Sequence, residues 1–121
     1  MSATVEERNG VRVLVCSADR RLRTERDAAD LVGEALSNRA EWLLIPVESL
    51  DDDFFRLKTR IAGGIIQKFV NYRRRVAIVG DISRFVEESD ALRDFVYESN
   101  RGDQVWFLAT AGEFDERLKR G

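Results

Sequence analysis

Histidine does not occur in this 121-residue chain. Its absence removes the usual general base at neutral pH, the commonest metal ligand, and every Ser-His or Cys-His nucleophile pair. Cys16 is the only cysteine, so no intramolecular disulfide can form. No apolar run is long enough for a signal peptide or a membrane span, which makes the cytoplasm the expected location. Pro46 is the only proline, and nothing in the composition indicates disorder or low complexity. Neither charge dominates: 20 basic residues stand against 22 acidic ones, a formal net charge of -2. No global field therefore draws nucleic acid or an anionic membrane to the surface, and partners must be recognised locally.

What is present reads as one domain spanning residues 1–121, with no linker and with about two-thirds of the unfolded surface expected to be buried. Asn9-Gly10 between two strand-like runs is a two-residue hairpin signal, with strands over residues 4–7 and 11–16. The first is polar and suits an edge; the second is almost wholly apolar, so Cys16 reads as a small buried hydrophobe. Thr24 opens a helix with Asp27 three residues on, a capping-box variant, and Ala28, Leu31, Val32, Ala35 and Leu36 recur at helical spacing as far as Asn38. The apolar run 42–47 reads as a buried strand with Pro46 near its end.

Residues 48–56 combine three aspartates with Phe54 and Phe55. The spacing is not that of a cation loop; a solvated turn anchored by the two phenylalanines is expected. The next helix, over residues 59–72, turns Ile61, Ile65, Ile66, Phe69 and Val70 to the core. Gly63 and Gly64 inside it are expected to allow close packing on the sheet. Residues 76–79 form a short central strand, 82–88 a loop or short helical turn, and a helix opens at Ser89 with Ala91, Leu92, Phe95 and Val96 inward. It is expected to stop at Asn100 to Gly102, one of these supplying a left-handed turn. A strand over 104–109 and a helix over 113–119 complete the order β-β-α-β-α-β-α-β-α. The expected fold is thus α/β, a mixed five-stranded sheet with an N-terminal hairpin, the rest parallel, and about four helices.

The wording FFRLKTRIAGGIIQKFVNYRRRVAIVGDIS, followed by ALRDFVYESNRGDQVWF, resembles the bacterial and archaeal family catalogued as domain of unknown function 4180. The resemblance covers nearly the whole chain and, for a family without an assigned activity, implies a fold more than a function. The element order in turn resembles that of STAS domains, the sulfate transporter and anti-sigma factor antagonist group, which implies a regulatory, protein-binding role. In the bacterial antagonists a serine opening the second helix, within Asp-Ser-Ser-Gly, is phosphorylated by a partner kinase; here the corresponding residues are Leu57, Lys58, Thr59 and Arg60, and Thr59 alone keeps a hydroxyl. The first family's own pattern implies Thr-Gly-x-Ala-Gly-Glu from Thr59 onward, and this chain departs from it at Arg60 and Gly64.

Ligands of open parallel sheets bind beyond the carboxyl ends of the strands. Asp19, Thr59, Asp81 and Ser83 are expected to converge there, beside the N-terminus of the second main helix, as a ligand or partner site; the plainer reading is that Thr59 and Asp81 only cap local turns. Gln67, Lys68, Asn71 and Tyr72 form a second polar set, with Glu98, Asn100 and Arg101 expected near the same sheet edge. Arg73, Arg74 and Arg75 complement a helix C-terminus, and without aromatic stacking partners they do not make a nucleic-acid site. No catalytic residue, metal or cofactor is assigned. The expected function is a non-enzymatic regulatory or interaction module with a protein partner, a kinase or another regulator, or a second copy of itself. The alternative is a binder of nucleotides or phosphorylated metabolites, or an enzyme, with its site at the strand ends.

Overall fold

In four of the five strands, all but the polar N-terminal one, the side chains alternate between two apolar surfaces, and that alternation sets the layers. A computed structural model describes residues 3–120. The strands are β1 (Ala3–Arg8), β2 (Val11–Cys16), β3 (Trp42–Pro46), β4 (Arg75–Val79) and β5 (Val105–Leu108), and the helices α1 (Glu25–Ser37), α2 (Ile61–Asn71), α3 (Ser83–Glu88), α4 (Asp90–Arg101) and α5 (Ala111–Lys119). The protein is α/β. The sheet runs β1-β2-β3-β4-β5 in chain order, β1 antiparallel to β2 and the remaining neighbours parallel. Asn9 at φ 52° and Gly10 at φ 81° make the type I′ turn expected of Asn-Gly.

Because every right-handed crossover steps one strand in the same direction, the crossover helices fall on one face. There Leu14, Leu43, Ile45, Val76, Ile78, Val105 and Phe107 meet Leu31 and Ala35 of α1, Ile65 and Phe69 of α2, Phe85 of α3 and Leu92 of α4. The opposite face carries Val13, Trp42, Leu44, Ala77 and Trp106, closed by Phe114 of α5. Trp42 stacks on Trp106 with ring centroids 4.3 Å apart, and Phe114 stands edge-on to Trp42 at 5.3 Å. Arg8 ties α5 to the hairpin, its Nη1 donating to both carboxylate oxygens of Asp115 at 2.9 Å. None of the helices among the described residues is long and apolar enough to cross a membrane.

Several local expectations change. Of the two readings of residues 82–88, loop or short helical turn, the helical one holds over Ser83–Glu88, where buried Phe85 draws the turn onto the core. Thr59 does not open α2: it closes a 3₁₀ turn (Leu57–Thr59), and Arg60, at φ 64°, stands between that turn and the helix. Gly64 packs on α1 and not on the sheet, since a Cβ there would stand 2.7 Å from Glu25 Oε2; Gly63 has open space around it. Neither Asn100 nor Gly102 is left-handed: Asn100 lies within α4, and Gly102 has φ −91°. The positive-φ residues after helices are Arg39 and Arg73. Ala91 is exposed, while Leu92 carries the inward face of α4.

Candidate functional site

Beyond the carboxyl ends of β2, β3 and β4 lie the segments 17–24, 47–60 and 80–82. The middle segment is built from three 3₁₀ turns, Val47–Ser49, Asp52–Phe55 and Leu57–Thr59. Its fold follows from its composition. Phe54 and Phe55 are buried and pull the turn onto the core, and each aspartate of the triplet meets an arginine. Asp51 accepts from Arg21 at 2.7 Å and pairs with Arg23 Nε at 3.1 Å; Asp52 accepts from Arg84 at 2.9 Å; Asp53 accepts from Arg56 at 2.9 Å. The hydrogen bond from Arg21 holds the Asp51 carboxyl below the usual carboxylate range. The acidic run is therefore consumed by arginines, and among the described residues no group of His, Cys, Asp or Glu is disposed to hold a metal ion. Ser49 is buried and donates to the Ser17 carbonyl at 3.1 Å, joining two of the segments.

Phe55 stacks on Phe85 of α3, with centroids 4.6 Å apart and planes 15° from parallel. Arg84 lies over the outer face of the Phe85 ring at 4.1 Å, a cation–π contact. Beside this stack opens a cleft of about 390 Å3, with Leu57 completing its wall, Arg56 and Lys58 on one rim, and Glu88, Ser89 and Ala91 on the other. The second rim is the start of α4, where Ser89 is the N-cap and accepts the Leu92 N–H at 3.1 Å.

Asp19, Thr59, Asp81 and Ser83 each bond within their own segment. Asp19 accepts from the Ser17 hydroxyl, which lowers its pKa. Thr59 Oγ1 lies 2.8 Å from the carbonyl oxygens of both Asp53 and Arg56 and accepts the Ile61 N–H at 3.3 Å. Asp81 accepts the Ser83 N–H at 2.9 Å, and hydrogen bonding from Ser83 lowers its pKa. Asp81 and Ser83 are thus brought together, at the start of α3. Thr59 directly follows Lys58 on the cleft rim, its hydroxyl turned into the loop.

The second polar set is spread over two helices. Gln67 donates to Asn71 at 2.7 Å along α2, Lys68 is half-exposed on the same helix, and Tyr72, its C-cap, is exposed. Glu98 pairs with Arg101 at 3.5 Å on α4. Asn100 has another role: its carboxamide accepts the Phe107 N–H at 2.7 Å and donates to the Phe107 carbonyl at 3.1 Å. It occupies the free edge of β5 as a further strand would.

The family model described as Domain of unknown function (DUF4180) matches residues 8–118. The chain belongs to that family. No curated protein and no solved structure matches it. Against the pattern that the family resemblance implies, Arg60 stands at a left-handed position that glycine adopts freely and that costs another residue about 1–2 kcal/mol. At Gly64, where that pattern implies a glutamate, the Glu25 carboxylate of α1 fills the space.

The cleft lies beyond the carboxyl ends of the strands, and none of Phe55, Arg56, Lys58, Phe85 and Glu88, which line it, is among the site residues expected from the sequence. The only local signal was the pair Phe54-Phe55 inside a charged loop. Phe85 is 30 positions further on, and only folding stacks it against Phe55.

Proposed function

We propose that this chain is a non-enzymatic, STAS-like regulatory module of the bacterial cytoplasm that recognises a protein partner through the pole formed by residues 52–60 and 81–91. The observation that carries this reading is the cleft itself: an aromatic floor with ionic rims, at the strand ends where open α/β sheets place their ligands. The acidic and hydroxyl groups nearby, Asp19, Thr59, Asp81 and the aspartate triplet, are engaged in capping turns or in binding arginines. Lys58 and Arg60, by contrast, are exposed and carry no side-chain hydrogen bond or ion pair among the described residues, so they face the solvent available to a partner. A kinase or another regulator is the proposed partner class; a second copy of this chain is the competing partner.

Photo-crosslinking in the native host tests this. Benzoylphenylalanine in place of Ala91, on the cleft rim, gives a discrete protein adduct that weakens with Thr59→Glu. The same group in place of Leu36, exposed on α1, gives none. Equal adducts at both positions, or none at Ala91, refute the reading.

The cleft volume favours one second reading, since about 390 Å3 falls within the range of small-molecule pockets. A thermal-shift screen against nucleotides and phosphorylated metabolites separates the two, because a bound ligand raises the melting temperature by linkage. The interaction module predicts a flat screen.

A further inference from the structure

The cleft has a polarity that specifies its occupant more narrowly than a protein partner, and the argument rests on the interaction reading above. Its floor is the stacked pair Phe55 and Phe85, both buried, with Leu57 alongside. The two rings are stacked face to face, so what they offer the cleft is their edges, which carry no hydrogen-bonding group and suit an apolar side chain. One rim presents Arg56 and Lys58. Asp53 offsets Arg56 through an exposed ion pair at 2.9 Å, and Lys58 is uncompensated. The opposite rim carries Glu88, whose carboxylate makes no hydrogen bond or ion pair among the described residues, and the first turn of α4.

We infer that the cleft receives an extended acidic segment of a partner protein. One aromatic or large aliphatic side chain lies over the Phe55–Phe85 floor, a carboxylate lies against Lys58 and Arg56, and the backbone N–H groups of the segment face Glu88. Glu88 fixes the direction, because a second carboxylate on that side meets a like charge, while the anchor and the first carboxylate are satisfied together in one orientation only.

The test is selection of a phage-displayed random octapeptide library on the intact protein. Recovered peptides are expected to be enriched in Asp and Glu, with one Phe, Leu, Trp or Met beside the acidic position. Their apparent Kd weakens by at least about tenfold on the Arg56→Glu/Lys58→Glu variant, since two attractive contacts become repulsive. That variant is expected to melt as the native protein does, both side chains being exposed. With Glu88→Lys, peptides carrying acids on both sides of the anchor bind more tightly than on the native protein. Neutral or basic consensus sequences, binding indifferent to the charge reversal, or an empty selection overturn the inference. A crosslink at Ala91 together with any of those outcomes leaves protein recognition standing and removes only the acidic-segment chemistry; loss of both removes the interaction reading as well.

Discussion

Replacing Asn100 by alanine removes the group that satisfies the outer edge of β5. Its carboxamide makes two hydrogen bonds to one backbone residue, at 2.7 Å from the Phe107 N–H and 3.1 Å to the Phe107 carbonyl, and Phe107 is only 6% exposed. Each bond contributes about 1 kcal/mol net, and a donor left without a partner adds a penalty of the same order, offset where water reaches the edge. The expected loss for Asn100→Ala is therefore about 2–3 kcal/mol. At about 2.1 cal/mol/K per residue, unfolding this chain carries an entropy of roughly 0.25 kcal/mol/K, so the melting temperature falls by about 8–12 °C. Urea unfolding measures the free energy, and hydrogen exchange at the Phe107 amide locates it. Asn100→Asp sharpens the test. A carboxylate still accepts the N–H but opposes the carbonyl, whereas the protonated acid can donate to it. The pKa of the new group is thus raised in the folded state. Its stabilising contribution is present below the unfolded carboxyl pKa and is lost as pH rises through the folded value. If Asn100→Ala melts within about 2 °C of the native protein, or Asn100→Asp gains nothing relative to Asn100→Ala on acidification, the edge-pairing argument is refuted.

Gly63→Ala, in open space within α2, is expected to stabilise by about 0.5–1 kcal/mol in thermal unfolding. Gly80→Ala is expected to destabilise by about 1–3 kcal/mol, because φ is 144° and the new Cβ falls 2.7 Å from Val47 Cγ2. Burial pushes the Cys16 thiol up to about 11, so a thiol reagent at pH 8 labels it only as fast as the chain opens. The unfolded thiol ionises first, so this group's contribution is present below the unfolded thiol pKa and lost as pH rises towards 11; Cys16→Ala should flatten that alkaline limb. Phe114→Ala, removing the fully buried ring against Trp42 and Trp106, is expected to cost about 3–5 kcal/mol and to change the near-ultraviolet circular dichroism of the tryptophan pair.

The features legible in the sequence were those whose energetics close within a few residues. Asn9-Gly10 forms its turn because both residues tolerate positive φ. Thr24 and Asp27 complete the capping box, each side chain bonded to the other's backbone N–H at 3.1 Å. The position of Pro46 at the last residue of β3 follows from its missing donor. Two expectations that depended on what lay opposite failed. Gly64 was assigned to the sheet although Glu25 occupies its space, and the left-handed turns sit at Arg39, Arg60 and Arg73 rather than at Asn100 or Gly102.

By itself, then, the sequence determined the element types, the parallel sheet with its N-terminal hairpin, and the absence of histidine chemistry. Alternating side chains, caps and turn residues act over distances the chain order already contains. Tertiary structure alone decided that the crossover helices share one face while α5 closes the other, that Asp51 and Asp52 meet arginines from distant segments, that Asn100 seals the β5 edge, and that Phe55 and Phe85 stack to floor a cleft. Those contacts join residues brought together only by folding, and their energies depend on distances and burial that no local pattern encodes.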